Sequence, residues 1–362
     1  MKYSFIVPVY DRPDEVEELL ESLTRQQSRD FEVIIVEDGS ANPCREVCDK
    51  YAGKLDIHYY YKDNSGPGQS RNYGAERAQG EWLIILDSDV VVPEGYLQAV
   101  DKELAAADSD AFGGPDRAHE SFTKIQKAIS YSMTSFFTTG GIRGGKRKLD
   151  KFYPRSFNMG IKKEVYQRLG GFSKMRFGED IDFSIRIFKA GCTCRLFPGA
   201  WVYHKRRTDF RKFWRQIYNS GIARINLYMK YSESLKPVHF LPAIFTLTIA
   251  LCILLILFGS LFIALGFNAL AQIKTGCANG PVYGIIFGIL MLLAGTVPPV
   301  LYSLLIFIDS GCKNRSITIG FLSILAAFIQ LTGYGCGFIQ ACWRRCLLGK
   351  DEFQAFEKTF YK

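Results

Sequence analysis

Acidic side chains in two short motifs have the types and spacing needed for chemistry on an anionic substrate. Asp87 and Asp89 stand one residue apart, directly after the apolar run Trp82–Leu86. Two close carboxylates repel each other, so the pair indicates a divalent cation held between them and an anionic ligand. Glu179 and Asp180 introduce a segment with helical spacing, where the positive end of the helix keeps a carboxylate ionised and able to accept a proton. The structural alternative for the Asp87 and Asp89 pair is a polar turn after a strand.

The segments that must position these motifs alternate between strand and helix. Apolar runs predict buried strands, and apolar residues at helical spacing predict helices that begin near residue 14 and cover 69–78 and 95–107. This alternation implies right-handed crossovers and a mostly parallel α/β sheet. Such sheets bind ligands at the carboxyl ends of their strands. The predicted strands are 3–9, 31–36, 57–61 and 82–86, and the carboxylates at or near their ends are Asp11, Asp38, Asp87 and Asp89.

The second half of the N-terminal region is harder to assign. Residues 112–157 contain two Gly-Gly pairs and a basic cluster, which indicates a partly helical stretch with a mobile loop. Residues 182–190 have helical spacing and end before Gly191, a residue type that commonly terminates helices. Residues 195–203 predict a last strand, which leads to His204.

Length and charge indicate about two domains and a basic surface. The 362 residues carry a formal net charge of +9, and nine lysines and arginines stand against two acidic residues between His204 and Lys236. A basic run before an apolar span predicts contact with anionic lipid headgroups rather than with nucleic acid. A second basic cluster consists of Arg143, Lys146, Arg147, Lys148, Lys151 and Arg155.

The last third of the chain is apolar enough to lie in a membrane. Phe240–Phe267 and Val282–Ile308 contain no charged residue, and each is long enough to cross about 30 Å of hydrocarbon. Ile317–Cys342 is also uncharged but includes Gln330 and several glycines. Three full crossings would separate the basic residues before the third segment from those after it, which the positive-inside rule disfavours. We therefore expect two or three spans, about 240–267, 282–308 and 317–342.

These features predict four regions and a membrane location. The N-terminus has no apolar leader of signal length, because Pro8 and Asp11 interrupt the first apolar run. We therefore expect a protein integral to the cell (inner or plasma) membrane with its soluble domain in the cytoplasm. Ten scattered cysteines without paired zinc spacings fit a reducing compartment. The predicted regions are an α/β domain at 1–203, a basic and aromatic interfacial segment at 204–238, a transmembrane region at 239–343 and a tail at 344–362.

Taken in order, the motifs resemble glycosyltransferase family 2, the inverting nucleotide-sugar transferases with the GT-A fold. The resemblance covers residues 3 to 207, and each motif stands at the expected structural position. It implies a Rossmann-like GT-A domain and an enzyme that transfers hexosyl or N-acetylhexosaminyl groups. The motifs are Ile6-Val7-Pro8-Val9-Tyr10, Val36-Glu37-Asp38-Gly39-Ser40, Gly66-Pro67-Gly68 through Arg71-Asn72, Asp87-Ser88-Asp89, Gly178-Glu179-Asp180-Ile181-Asp182 and His204.

The resemblance implies a nucleotide-sugar site formed by five residues. Asp38 is similar to the carboxylate that accepts a hydrogen bond from N3 of the base. Pro8 and Tyr10 resemble the wall of that base site. Arg71 resembles the arginine beside the base and the pyrophosphate, and Asp87 resembles the residue that holds the ribose or a metal-bound water.

The resemblance also implies a metal site and a general base. Asp89 would bind a divalent cation, Mg²⁺ or Mn²⁺, and His204 would complete its ligand shell. Asp180 would take the proton from the acceptor hydroxyl, while Glu179 would orient it. This chemistry is consistent, because a nucleoside diphosphate is a poor leaving group until a cation neutralises its charge, and the attacking hydroxyl needs a base.

Two departures from the family pattern bear on the activity. The dyad before Gly39 is Glu37-Asp38 rather than two aspartates. Processive members that extrude a polymer carry Gln-x-x-Arg-Trp, whereas the best-aligned stretch here, Gln216–Ser220, lacks both the arginine and the tryptophan. We therefore expect addition of one sugar at a time.

The predicted function is metal-dependent, inverting transfer of a sugar from a nucleotide-sugar, a UDP-sugar, to a lipid-linked or surface-glycan acceptor in polysaccharide biosynthesis. The alternatives are a polyprenyl-phosphate glycosyltransferase, a processive polysaccharide synthase, and a membrane scaffold that binds a nucleotide-sugar without turnover. The intact Glu179-Asp180 pair favours the first function over the polyprenyl-phosphate and scaffold alternatives. The expected partners are the nucleotide-sugar, the glycan or lipid-linked acceptor and membrane lipid, but not nucleic acid.

Overall fold

The chain forms two compact units, one from residues 1–122 and 140–206 and the other from residues 123–139 and 207–362. The computed structural model describes residues 1–117, 122–140, 153–175, 177–205, 207–272 and 279–355. Residues 123–139, which the sequence alone places in the N-terminal domain, group with the C-terminal helices. Most of the second basic cluster and its predicted mobile loop lie outside the described residues.

The N-terminal unit is built on a mostly parallel sheet, as the sequence predicts. The strands within the described residues are β1 (Tyr3–Val9), β2 (Phe31–Asp38), β3 (Ile57–Lys62), β4 (Trp82–Leu86), β5 (Val90–Val91), β6 (Ala111–Gly113), β7 (Asp116–Arg117), β8 (Asn158–Lys162), β9 (Cys194–Leu196) and β10 (Val202–His204). Seven of them form a sheet with the order β3-β2-β1-β4-β8-β6-β9, in which only β8 is antiparallel to its neighbours. A smaller sheet has the order β5-β10-β7.

Helices connect these strands and make up the second unit. Within the described residues they are α1 (Pro13–Leu23), α2 (Arg45–Tyr51), α3 (Pro67–Arg77), α4 (Tyr96–Ala106), α5 (Lys124–Thr134), α6 (Phe136–Thr139), α7 (Lys163–Arg168), α8 (Glu179–Lys189), α9 (Phe210–Lys230), α10 (Leu241–Gln272), α11 (Asn279–Asn314) and α12 (Ile317–Ala341). The predicted helices correspond to α1, α3, α4 and α8, with ends that differ by a few residues. Helix α2 is too short to show a helical period, so its sequence did not indicate it.

The least regular strands are those that sequence patterns describe poorly. Strand β8 reads Asn-Met-Gly-Ile-Lys and has no continuous apolar run. It carries Gly160 because a Cβ there would overlap the ring of Phe112 on β6. The strand predicted at 195–203 is two short strands, β9 and β10, because Pro198 and Gly199 interrupt it.

Apolar side chains cover both faces of the central strands. Along β1, Phe5 and Val7 pack into one cluster with α1 and α4, while Ile6 between them packs into a second cluster with α3, α7 and α8. Successive side chains of a strand point to opposite faces, so a strand buried on both faces is mostly apolar. The exceptions near the amino ends of β1 and β2 are Ser4 and Glu32, and the buried hydroxyl of Ser4 donates to the Glu32 carboxylate at 2.6 Å.

The described part of the second unit contains three helices that are long and apolar enough to cross a membrane: α10, α11 and α12. Helices α10 and α11 form an antiparallel hairpin with closely approaching backbones. A Cβ on Gly259 would lie 2.7 Å from the carbonyl oxygen of Gly288, and one on Gly295 would lie 2.6 Å from that of Cys252. Small residues at such contacts are typical of membrane helix pairs.

Candidate active site at the carboxyl edge of the sheet

Three side chains gather where β4 ends and β10 passes the short strand β5. Asp87 and Asp89 follow β4, and the antiparallel pairing of His204 with Val90 brings the imidazole beside them. The Nε2 atom of His204 lies 3.2 Å from Asp89 Oδ1 and 3.9 Å from Asp87 Oδ2. One ligand atom from each residue lies within 4.8 Å of the other two. The sequence separates His204 from Asp89 by more than a hundred residues, yet the fold brings them into contact.

Each aspartate of this group uses its other oxygen for an arginine. Arg71 donates to Asp87 Oδ1 at 2.7 Å, and Arg12 donates to Asp89 Oδ2 at 2.6 Å. The arginines offset the repulsion between the two carboxylates, which would otherwise favour protonation of one of them. The oxygens that face His204 are those not used by the arginines.

The donor set fits a divalent cation. Carboxylate oxygens and an imidazole nitrogen are ligands that Mn²⁺ accepts, and Mg²⁺ prefers the oxygens. His204 is held in place by the ring of Phe157, which stacks on it with centroids 4.7 Å apart. The buried Nδ1 atom of His204 has no hydrogen-bond partner among the described residues. The residues that would hold the cation are therefore Asp87, Asp89 and His204.

The second acidic motif forms the first turn of α8. Gly178 precedes it with φ of +83°, a conformation that favours glycine and turns the chain into the helix. Glu179 is 8% exposed and accepts a hydrogen bond from Arg71 Nη1 at 3.0 Å. Burial raises the pKa of Glu179 to about 7, although the charge of Arg71 opposes this rise. Arg71 thus touches both acidic motifs, with Asp87 on one amine of its guanidinium and Glu179 on the other.

Asp180 has the opposite balance. Burial alone would raise its pKa, but the ion pair with Arg155 at 3.0 Å and a hydrogen bond from the Ile181 N–H outweigh burial and hold the pKa of Asp180 below its ordinary value. Asp180 is therefore ionised at neutral pH and can accept a proton. Of the two neighbouring carboxylates, Asp180 is the better candidate for the base, because its lowered pKa keeps it ionised whereas burial raises the pKa of Glu179.

The residues predicted to bind the nucleotide lie along the same edge. Pro8 is buried within β1, Tyr10 is half-buried directly after it, and Asp38 is the last residue of β2. Asp38 accepts hydrogen bonds from the N–H groups of Ser65 and Gly66, each at 2.9 Å, and from Lys62 at 2.5 Å. The carboxylate thus also ties the loop before α3 to the end of β2.

The other acid of that dyad, Glu37, has a structural environment. It is fully buried and accepts hydrogen bonds from the hydroxyl of Ser40 and, at 2.8 Å, from the N–H of Cys44. Tyr59 lies 3.4 Å from the same carboxylate. Glu37 therefore closes the turn after β2, and the substitution of glutamate for aspartate affects a position that holds the loop.

Four residues of the site were not singled out by the sequence: Arg12, Arg155, Phe157 and Lys62. Arg12 stands two residues after Tyr10 at the end of β1, so its position on the carboxyl edge was available as a signal. Arg155 belongs to the second basic cluster, and in the structure it forms an ion pair with Asp180 at 3.0 Å. Nothing in the local sequence of Phe157 or Lys62 marks them.

Comparisons with known proteins agree with this geometry. The profile of Glycosyl transferase family 2 matches residues 4–170. An uncharacterized glycosyltransferase of Haemophilus influenzae is 31% identical over 200 residues, which cover 51% of this chain and 62% of the relative. The poly(ribitol-phosphate) beta-N-acetylglucosaminyltransferase TarS of Staphylococcus aureus is 37% identical over 93 residues, 25% of this chain and 16% of TarS. The chain thus spans less than two thirds of the length of these curated relatives.

The fold itself recurs in a solved structure. The mannosyltransferase PcManGT from Pyrobaculum calidifontis, in complex with GDP-Man and Mn²⁺, is similar with a TM-score of 0.55 at 16% identity, over 95% of this chain and 88% of that one. The N-terminal unit accordingly has a GT-A-like fold. Its motifs and its fold agree with this match, so residues 4–170 carry a transferase domain that matches glycosyl transferase family 2.

Proposed function

We propose that this protein is a metal-dependent, inverting glycosyltransferase that moves a sugar from a nucleotide-sugar, a UDP-sugar, to a lipid-linked or surface-glycan acceptor. The observation that carries the proposal is the position of Arg71. Its guanidinium bonds Asp87 of the cation group and Glu179 of the base motif, at 2.7 and 3.0 Å. The two acidic motifs are therefore parts of one site, as a reaction with a charged leaving group and a hydroxyl nucleophile requires.

The residues of the site divide the reaction between them. A divalent cation held by Asp89, His204 and Asp87 would neutralise the charge that develops on the nucleoside diphosphate. Asp180 accepts the proton of the attacking hydroxyl. Before the reaction, Arg155 keeps the Asp180 carboxylate ionised. Attack from the face opposite the leaving group inverts the configuration at the anomeric carbon.

Names of related proteins support the donor and acceptor classes. TarS is named for the transfer of N-acetylglucosamine to poly(ribitol phosphate), and PcManGT was determined with GDP-Man and Mn²⁺. A nucleotide-sugar donor, a Mn²⁺ or Mg²⁺ ion and an acceptor on a surface polymer or lipid are consistent with both. The three apolar helices suggest association with a membrane. Within the proposal this is the inner or plasma membrane, with the transferase domain in the cytoplasm.

The experiment that tests the proposal is a screen of the purified full chain against a panel of nucleotide-sugars. We expect slow hydrolysis of one or a few donors, stimulated by Mn²⁺ or Mg²⁺ and abolished by EDTA, and faster donor consumption when membrane lipid or surface glycan is added. A scaffold would bind a donor without consuming it. A polyprenyl-phosphate transferase would respond only to polyprenyl phosphates, whose anionic oxygen needs no general base.

Arg155 provides a prediction about pH. Arg155→Gln should move the acidic limb of the kcat/KM profile to higher pH, because loss of an adjacent positive charge raises the pKa of the carboxylate that must be ionised. Activity should be lost first at low pH and recover as pH rises. Arg25→Gln, at an exposed position on the same unit, is the matched control. An unchanged acidic limb would remove Asp180 from the role of base.

A further prediction concerns product length. In the aligned Gln216–Ser220 stretch of α9, Asn219 is 1% exposed and its amide bonds the backbone of Ala355, while the hydroxyl of Ser220 bonds the Gln216 carbonyl. Neither position presents an aromatic face to hold an acceptor sugar, a contact worth on the order of 1 kcal/mol. We therefore expect distributive addition of one sugar. Mass spectrometry of a labelled acceptor with excess donor checks this, and a ladder of long products would identify a processive synthase.

A further inference from the structure

The third apolar helix, α12, contacts the α10–α11 hairpin at one end only, among the described residues. Near its start, the ring of Phe321 contacts that of Phe307 of α11 in a tilted arrangement with centroids 4.6 Å apart, and Ser323 shares a 2.6 Å hydrogen bond with Ser310. Near its end, Phe338 contacts Phe240, immediately before α10, with centroids 5.2 Å apart. One helix therefore touches the end of α11 and the start of α10.

These contact points lie at the same level of the hairpin. The rings of Phe245 and Tyr302 touch at 5.3 Å across the antiparallel pair. Five residues outward from this contact, α11 reaches Phe307 and the chain before α10 reaches Phe240. The two partners of α12 thus occupy equivalent depths, although Phe321 and Phe338 are separated by about 26 Å along the α12 axis at 1.5 Å per residue.

The middle of α12 crosses the hairpin at the end where α10 begins and α11 finishes. Phe328 contacts both Phe245 and Tyr302, with centroids 5.6 and 5.7 Å away. Leu331 then lies beside Thr246, whose hydroxyl is 3.5 Å from its carbonyl oxygen. Among the described residues, the ring contacts and hydrogen bonds of α12 with the hairpin involve only 240–246 and 302–310. A helix that crossed the bilayer beside α10 and α11 would contact their other halves as well.

Other helices of the same unit cover the opposite side of α12. Gly333 faces Trp214 and Ile217 of α9, and Gly221 of α9 is so close to Tyr334 that a Cβ there would overlap its carbonyl. Helix α5 packs against the first half of α12 through Ala128, Ile129 and Met133. Of the most apolar window of α12, 39% is buried within the protein, compared with 17% for α10 and 11% for α11. Helix α12 is thus an inner layer, not a lipid-surrounded rod.

We propose that α12 lies along the lipid–water boundary beneath α5 and α9, and that the chain crosses the membrane only twice, through α10 and α11. The occupant of the exposed apolar surface of the hairpin is the lipid bilayer. With two crossings, the basic residues on either side of α12 share one membrane face, which satisfies the positive-inside rule that three crossings would break. These residues are Lys313, Arg315, Arg344, Arg345 and Lys350. The proposal is independent of the enzymatic activity.

Three native cysteines report on this topology. Cys277 stands between α10 and α11 in the sequence, and Cys312 and Cys346 are exposed at the end of α11 and after α12. Each of three full-length variants retains one of these three cysteines and lacks the other two. Each variant is treated with a membrane-impermeant maleimide in sealed membrane vesicles, once in each orientation. Cys312 and Cys346 should be labelled in the same orientation and Cys277 only in the other. Labelling of Cys346 together with Cys277 would overturn the proposal.

A second measurement does not require removal of cysteines. For this measurement, short protease-cleavable epitope tags are added to both ends of the wild-type chain. Sealed vesicles of one orientation are then digested with protease from outside. Two crossings place both termini on one side, so both tags should be lost together or retained together. Loss of only one tag would establish an odd number of crossings and contradict the inference.

Discussion

Asp89→Ala is expected to lower turnover by about 10³-fold, the size of effect seen when a group that stabilises charge in a transition state is removed. The variant loses the carboxylate oxygen 3.2 Å from His204 and also leaves Arg12 without its partner at 2.6 Å. The remaining activity should no longer respond to Mn²⁺ over the range that stimulates the wild type. Initial rates of donor consumption as a function of Mn²⁺ concentration provide the measurement.

The matched control is Asp49→Ala, at an exposed position on α2 of the same unit. It should leave both turnover and the metal response unchanged. A second variant, Asp89→Asn, keeps the size of the side chain and removes its charge, so it separates loss of the ligand from loss of packing. Wild-type rates for Asp89→Asn would show that no charge is needed at this position and would refute the cation site.

Asp180→Asn is expected to lower turnover by about 10²- to 10⁴-fold, the usual contribution of a general base. The amide keeps the size of the carboxylate and can still accept from Arg155 or the Ile181 N–H, so the first turn of α8 should remain folded. Because Asp180 is not part of the cation group, donor affinity should stay within about twofold of the wild-type value. Single-turnover measurements with saturating donor isolate the chemical step.

Glu179→Gln distinguishes the two neighbouring carboxylates. Glu179 is buried against Arg71, and the variant weakens the ion pair that holds the Arg71 guanidinium in place. It should therefore lower donor affinity more than Asp180→Asn does. If Glu179→Gln removed the chemical step while Asp180→Asn retained it, the role of base would have to move to Glu179. Asp49→Asn serves as the control for the aspartate-to-asparagine change.

The position of most site residues follows from strand order. Asp38 and Asp87 each follow an apolar run, and parallel strands bring their carboxyl ends to one edge of the sheet, so these residues could be placed together in advance. His204 needed the family pattern, because its contact with Asp89 depends on pairing of β10 with β5, a two-residue strand that the sequence did not predict. Arg12 and Arg155 were missed because an ion-pair partner is chosen by tertiary contacts rather than by local sequence.

The membrane region shows a different limit of sequence reasoning. Length and lack of charge identify α12 as apolar, but they carry no information on the direction in which a helix runs. Its partners α5 and α9 are separated from it by about 200 and 100 residues in the sequence. Residues 123–139 lie in the stretch predicted as a partly helical part of the N-terminal domain, and local sequence does not show which distant helix such a segment packs against.

The most direct test of the central assignment, a cation group distinct from the base, is calorimetric titration of UDP into the full chain with and without Mn²⁺. For the wild type, Mn²⁺ should strengthen UDP binding at least about tenfold, which corresponds to 1.4 kcal/mol. Asp89→Ala should abolish this strengthening, while Asp180→Asn should retain it in full. Equal loss of Mn²⁺-dependent binding in both variants, or full retention in both, would contradict the division of roles between the two acidic motifs.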